Sequence, residues 1–302
     1  MTYLYFPGCS LRSTGRAYDE SLRAVFEVLG IGLQELDDWN CCGATSYMAI
    51  DETQAFALAA RNLALAEVQG GANGKPVELL APCSACYLVL SKTRHYLDQY
   101  PDVHRTVNDA IGRAGLQYTG RLHIRHPLDV LVNDVGLDAV RACVKHPLKG
   151  LRVACYYGCQ TVRPFGSFDH THYPTTMDRL VDSLGATAVD WPLKTRCCGG
   201  SLTGTIQEAG LRLSRLILKE AEKHNVDLVV TCCPLCQHNL ECYQDRINRI
   251  YDEKIDTPVA YVTQLMGAAF GLSSHALAFQ RLFKRPHLEH LIQQKGAPAN
   301  AW

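Results

Sequence analysis

The sequence predicts an α/β protein of two pseudo-symmetric α/β lobes, made by internal duplication and built on largely parallel strands. Three observations predict it. A five-cysteine pattern occurs twice at nearly the same spacing. Short apolar runs of strand length alternate with longer amphipathic runs of helix length. The 302 residues suit two domains of ordinary size, each able to bury a core.

The repeat can be read residue by residue. The first half carries Cys9, the adjacent Cys41 and Cys42, then Cys83 and Cys86. The second carries Cys159, the adjacent Cys197 and Cys198, then Cys233 and Cys236. Cys9 and Cys159, Cys83 and Cys233, and Cys86 and Cys236 each stand 150 positions apart, while the double cysteines stand 156 apart. One half therefore holds extra residues before its pair and loses them after it. Gly43 and Gly199 follow the two pairs, and Asp38-Trp39 and Asp190-Trp191 precede them. The halves also end alike, on His126-Pro127-Leu128-Asp129 and on Tyr261-Val262-Thr263-Gln264. Self-similarity at this scale marks a duplication.

Apolar runs over 3–6, 79–81, 151–156 and 228–231 read as strands. Leu22, Val25, Phe26 and Leu29 fall on one helical face that Gly30 ends. Matching helices are expected over 55–68 and 211–223. The boundary is placed near residues 147–150, giving one lobe over 1–148 and another over 149–302. In such layered folds, sites collect where strands end and helices begin. Cys9, Cys83, Cys159 and Cys233 each follow a strand. Each Cys-x-x-Cys then opens a helix whose first amides favour thiolate charge.

Composition narrows the function. Thirty basic residues balance thirty acidic ones, so nothing points electrostatically to nucleic acid or an anionic membrane. The first residues reach Pro7 and Gly8 without a basic stretch, which argues against a signal peptide. The most apolar stretch, 259–279, is broken by Gln264 and His275, so no transmembrane span is expected. Gly70-Gly71-Ala72-Asn73-Gly74 reads as a turn between helix and strand, and no nucleotide cofactor is expected. These readings describe a soluble cytoplasmic protein, in which fourteen cysteines point to metal or redox chemistry rather than disulfides.

One Cys-x-x-Cys is a weak signal, but the whole pattern occurring twice is a strong one. The alternative is that the ten repeated thiols are buried and inert. Zinc takes four ligands and leaves the fifth cysteine of each set without a role, as does an ordinary cubane cluster. The residues therefore suggest an iron–sulfur cluster of non-standard shape. Cys143, Cys155, Cys232 and Cys242 stand outside the repeat and read as small core residues.

Pro7-Gly8-Cys9-Ser10, Trp39-Asn40-Cys41-Cys42-Gly43-Ala44-Thr45-Ser46, Tyr156-Tyr157-Gly158-Cys159, Arg196-Cys197-Cys198-Gly199-Gly200 and Cys233-Pro234-Leu235-Cys236 resemble the B-subunit family of heterodisulfide reductase, with its duplicated cysteine-rich CCG domain. The resemblance covers nearly the whole chain. It implies two noncubane 4Fe-4S clusters lying between the lobes. Cys9, Cys41, Cys42, Cys83 and Cys86 would hold the first, and Cys159, Cys197, Cys198, Cys233 and Cys236 the second. It implies thiol–disulfide redox chemistry, with a ferredoxin-like C subunit and a flavoprotein A subunit as partners. The Gly-Ala-Thr-Ser and Ala81-Pro82-Cys83-Ser84-Ala85-Cys86 stretches look more like bacterial members. Those include sulfur-oxidising complexes, where the implied substrate is a lipoate-carrying protein. Two other classes compete: an electron-transfer or anchoring component of another dehydrogenase, like the succinate dehydrogenase type E subunit, and a zinc-stabilised interaction protein.

Other polar residues have milder readings. His126 is a candidate proton donor beside the first cluster, against a purely structural histidine. His170 and His172, with Asp169, suit a solvated loop or a cavity mouth. His238 follows Cys236 and would act only through a cluster's surroundings. Arg163, Lys194 and Arg196 suit surface charge, or attraction of an acidic substrate.

Overall fold

The computed structural model describes residues 1–44, 46–71, 74–284 and 291. Thr45 of the first Cys-Cys-Gly stretch, and Ala72 and Asn73 of the glycine-rich turn, lie outside the described residues.

Two four-stranded sheets form, one per half, and each is parallel throughout. The first uses β1 (Thr2–Tyr5), β2 (Gly32–Glu35), β3 (Val77–Leu80) and β4 (Leu122–Arg125), in the order β2-β1-β3-β4. The second uses β5 (Arg152–Tyr156), β6 (Thr187–Ala188), β7 (Leu228–Thr231) and β8 (Val259–Tyr261), in the order β6-β5-β7-β8. The two orders are the same, as the α/β duplication required. The central strands match the apolar runs to within a residue or two. The outer strands β2, β4, β6 and the three-residue β8 were not foreseen. Each has a partly exposed, mixed-polarity pattern or is very short, so it lacks the continuous apolar run of a buried parallel strand.

The helices follow the same duplication. The first half has α1 (Gly8–Leu11), α2 (Arg16–Val28), α3 (Ser46–Ile50), α4 (Glu52–Gly70), α5 (Ser84–Gln99), α6 (Pro101–Gly112), α7 (Pro127–Asp129) and α8 (Leu137–Ala142). The second has α9 (Thr176–Ser183), α10 (Gln207–Lys223), α11 (Pro234–Cys242), α12 (Gln244–Tyr251) and α13 (Val262–Ala269). In α2, Leu22, Val25 and Phe26 are fully buried, each worth roughly 1.5–3 kcal/mol. Gly30 then takes φ +69°, the left-handed turn that ends the helix. Asp51 caps α4 by accepting from the Gln54 amide at 3.1 Å. The unequal spacing before the double cysteines has its source between Cys159 and α9. That loop is longer than the one between Cys9 and α2, and α9 is shorter than α2.

The halves interlock reciprocally. α13 of the second half packs on α2 of the first, while α7 and α8 of the first pack on α9 of the second. Ser21 and Thr263 share a 2.7 Å hydrogen bond across the α2–α13 contact, and Tyr18 stacks on Tyr261 at 4.7 Å. One apolar core runs through both sheets, and a smaller one lies on the far side of the second sheet. No helix among the described residues is long and apolar enough to cross a membrane.

Candidate metal centre

Each quintet of cysteines assembles at the carboxyl ends of the central strands. Gly8 and Gly158 place the first cysteine of each set. They take φ +67° and +70°, and a Cβ on either would stand 2.9 Å from the sulfur of Cys86 or Cys236. Only glycine lets the chain turn there and still leave room for the distant sulfur. Gly43 and Gly199 take φ +78° and +105° after the double cysteines. The turn points amides back at the sulfurs: Gly43 and Ala44 toward Cys41 and Cys42, Gly199 and Gly200 toward Cys197 and Cys198. The Gly199 amide stands 3.4 Å from Cys197 Sγ. Such successive amides form an anion-binding nest. Cys83 and Cys233 occupy the N-cap positions of α5 and α11.

The sulfurs converge. Cys9 and Cys41 stand 3.8 Å apart, Cys42 and Cys86 3.3 Å, and Cys198 and Cys236 3.7 Å. Cys159 and Cys197, Cys83 and Cys86, and Cys233 and Cys236 are free thiols that perturb each other's ionisation in pairs. The two sets meet at Cys83 and Cys233, whose buried thiols lie near enough to influence each other's ionisation. All ten cysteines thus form two gatherings joined at one seam. Cys9 and Cys41 are exposed, Cys159 and Cys197 half-buried, and the other six buried. A cavity of about 250 Å³ opens on the second set, lined by its five cysteines together with Ser84 from the first half.

The seam is built reciprocally. Ser84, the residue after Cys83, accepts from Thr161 Oγ1 at 2.7 Å in the loop beyond Cys159. Pro234, the residue after Cys233, lies so close to Gly15 that a Cβ there would come within 2.9 Å. Each Cys-x-x-Cys is thereby pinned by the opposite half.

Electrostatics sort the thiols. Hydrogen bonds from Cys42 and Cys9, with the Gly43 amide, hold Cys41 far below its ordinary value. Cys197 is drawn down to about 6 by its bond with Cys159, helped by the Gly199 amide and by Arg163. Cys233 is lowered by bonds from Cys236 and Cys83. Within each set some sulfurs thus favour the thiolate, the form that binds metal.

The remaining predicted residues fall into place less uniformly. His126 is wholly buried at the start of α7, beside the seam rather than at a surface. Its Nδ1 accepts from the Leu128 amide at 3.3 Å and its ring stacks on Phe168. Among the described residues its Nε2 has no hydrogen-bond partner. Burial lowers it to about 4, against the opposing pull of Cys233. His170 and His172 are exposed in the loop that Asp169 ties to the start of α9. His238 is half-buried and packs edge-on to Tyr243. Its neighbour Asn239 touches a cysteine instead, donating to Cys198 Sγ at 3.4 Å and to the Gly200 carbonyl at 2.9 Å. Lys194 corrects the surface-charge reading: it is buried and paired with Asp178 at 2.6 Å. Cys155 and Cys232 are buried as expected, the latter pushed up to about 12 by burial, while Cys143 and Cys242 are only half-buried.

The donor set decides which metal group suits the site. Five soft thiolate donors with neither histidine nor carboxylate suit iron–sulfur chemistry. Among the described residues, no three metal-ligating side chains stand together as a single-ion site. Sulfurs strung pairwise through a half-buried cavity and met by backbone amides fit a polynuclear group better than one zinc ion.

Fold and site together define a class: an iron–sulfur redox subunit of the oxidoreductase type, made of two repeated cysteine-rich α/β lobes. The cysteine-rich domain named CCG matches residues 3–91 and 153–241, and the chain belongs to this family, which it shares with heterodisulfide reductase B subunits. It is 32% identical over 277 residues to the 8-methylmenaquinol:fumarate reductase membrane anchor subunit of Wolinella succinogenes, covering 91% of this chain and 94% of that one. It is 30% identical over 283 residues to a heterodisulfide reductase B-subunit-like protein of Archaeoglobus profundus, covering 91% and 93%. It is 27% identical over 281 residues to the B subunit of the ferredoxin/F420H2-dependent CoB-CoM heterodisulfide reductase of Methanosarcina acetivorans, covering 91% of each. A crystal structure of a hypothetical protein from Helicobacter pylori shares the fold, with a TM-score of 0.74 at 16% identity. The match covers 94% of this chain and about half, 52%, of that one.

Proposed function

We propose that the chain is the catalytic subunit of a heterodisulfide-reductase-like complex, exchanging electrons with a disulfide or dithiol at two noncubane 4Fe-4S clusters. Cys9, Cys41, Cys42, Cys83 and Cys86 would hold one cluster and Cys159, Cys197, Cys198, Cys233 and Cys236 the other. Such clusters supply one-electron chemistry each, and a disulfide requires two electrons and two protons for cleavage to two thiols. The observation that carries the reading is the seam. Both cysteine sets gather at one junction, so a sulfur substrate there would face both.

The chain's own groups prepare that junction. The amide nests after the double cysteines hold thiolate charge, with Arg163 adding to the effect at Cys197. Ser84 and Thr161 hold the two halves in register beside the cavity. Tyr157 lines the cavity, and Tyr18 and Tyr261 are fully buried. A ferredoxin-like C subunit and a flavoprotein A subunit would pass electrons, and a lipoate-carrying protein is a fitting substrate in a sulfur-oxidising setting. A cytoplasmic location follows from the same reading.

A second reading is favoured by one comparison. The Wolinella relative is named a membrane anchor subunit of a fumarate reductase. On that reading this chain carries electrons between a membrane carrier and a partner dehydrogenase and cleaves no disulfide. Anaerobic purification with iron and sulfide counting and electron paramagnetic resonance tests both. About eight irons per chain and a signal altered by added thiol support the disulfide reading. Eight irons with a signal indifferent to thiols favour the second, and zinc in place of iron overturns both.

A further inference from the structure

Behind the second centre lies a buried acid that the cysteine pattern does not require. Glu241 sits near the end of α11, the helix that Cys233 opens. Its Oε2 accepts from Gln237 Nε2 at 2.5 Å and its Oε1 from the Lys284 amide at 3.2 Å. Gln237 in turn accepts from the Tyr261 hydroxyl at 3.4 Å. Tyr261 is buried and feels Cys233, Glu241 and Cys83 together. A line of hydrogen bonds therefore runs from Glu241 through Gln237 to Tyr261, which feels the charge of the seam cysteines. Tyr18 stacks on Tyr261, and its buried hydroxyl has no hydrogen-bond partner among the described residues.

The charges around Glu241 leave it unpaired by any cation among the described residues. From the carboxy-terminal segment, the Lys284 ammonium is engaged by Asp256 at 2.7 Å and lies 3.8 Å from Asp245. From α11 comes Cys242, whose thiol is pushed up to about 12 by burial and by Glu241. From β8 comes Tyr261. The first half has no counterpart: the 150-residue spacing sets Tyr87 against Gln237 and Ser91 against Glu241.

We propose that Glu241 is the proton-loading group of the second centre alone. When one electron enters that centre from a ferredoxin-class donor, the Glu241 carboxylate takes one proton from water. When the electron leaves, the proton returns to water, and the charge of the region is balanced at each step. Burial raises the carboxyl to about 7, against the opposing hydrogen bonds and the charge of Lys284, so it can exchange a proton near neutrality. The inference rests on the two-cluster reading above.

Redox titration across neutral pH, followed by electron paramagnetic resonance, tests it in the iron-loaded chain. In the wild type, one of two signals shifts tenfold in its reduction equilibrium per pH unit, or 59 mV. Glu241→Gln keeps the hydrogen-bonding shape, abolishes that slope and leaves the other signal unmoved, and Glu241→Asp restores part of it. Tyr261→Phe, which keeps the ring stack, flattens the slope. A slope that survives Glu241→Gln, equal slopes on both signals, or an unaltered slope in Tyr261→Phe overturns the proposal. The metal-free chain gives a separate readout: an infrared carboxyl band that titrates near pH 7 and is missing in Glu241→Gln. If that band is absent from the wild type, Glu241 is not the group. If iron is absent, the two-cluster reading fails instead.

Discussion

Replacing Gly8 by alanine asks whether the repeated Gly-Cys step is there for the sulfur or only for the turn. Gly8 and Gly30 share nearly the same backbone, φ +67° and +69°, but differ in surroundings. An added Cβ at Gly30 meets nothing within 4 Å, whereas at Gly8 it lies 2.9 Å from Cys86 Sγ. Forcing an ordinary residue into the left-handed region costs roughly 1–2 kcal/mol at either position. Overpacking against a fixed core atom adds roughly 1–3 kcal/mol at Gly8 alone. Gly8→Ala is therefore expected to lose about 2–5 kcal/mol and Gly30→Ala about 1–2 kcal/mol. Urea unfolding of the metal-free chain measures both, and iron counting then shows whether displacing Cys86 costs the first centre its metal. Gly158→Ala, whose Cβ would meet Cys236 Sγ at the same 2.9 Å, should repeat the Gly8 result at the second centre. Equal costs for Gly8→Ala and Gly30→Ala, within about 0.5 kcal/mol, together with unchanged iron, would refute the reasoning.

Two further outcomes are expected. Arg125 holds Glu78, Asp129 and Asp134 together at 2.5–3.0 Å while only 19% exposed, so Arg125→Met leaves three carboxylates facing one another. Breaking a fully buried pair costs roughly 3–5 kcal/mol. Partial exposure lowers this to about 2 kcal/mol in urea unfolding, and a loss below about 0.5 kcal/mol would contradict the network's role. The folded-state pKa of Glu241, about 7, lies above its ordinary 4.5. The stability this contributes is complete below pH 4.5 and lost as pH rises through about 7. The gap is worth about 3 kcal/mol. The stability difference between wild type and Glu241→Gln should shrink by that amount over this window, and a difference independent of pH would be inconsistent with a buried acid.

Some of this was legible in the sequence. The cysteine spacing is a chain-local signal, and it marked the ten sulfurs that the fold gathers. The central strands were legible as apolar runs because parallel strands covered on both faces admit little else. The edge strands were not, since β2 and β4 face solvent on one side and β6 and β8 are only two and three residues long. Contacts made across the seam left no local trace. Nothing near Ser84 announces Thr161, and nothing near Gly15 announces Pro234. Asn239 was missed in favour of His238 because imidazole is the more conspicuous side chain beside a ligand cysteine, while helical phase turned its neighbour toward Cys198. Lys194 looked like surface charge because no nearby sequence feature reveals that Asp178 lies beside it.

The reciprocal packing limits what duplication alone can do. Each half lends its closing helices to the other, α13 to α2 and α7 with α8 to α9, and one apolar core crosses between the sheets. A single repeat would expose that core and leave its Cys-x-x-Cys unpinned, so two copies are the smallest unit that closes the site. Perfect copies, however, would make the two centres equivalent, with no preference for which takes charge first. The structure departs from symmetry at the positions around the seam. His126 ends one sheet where Tyr261 ends the other, and Tyr87 and Ser91 stand where Gln237 and Glu241 do. The first half presents a neutral, desolvated imidazole stacked on Phe168, and the second a tyrosine linked to a buried acid. The cysteine framework is thus what the duplication preserved, and the residues just behind it are where the two centres acquired different electrostatics.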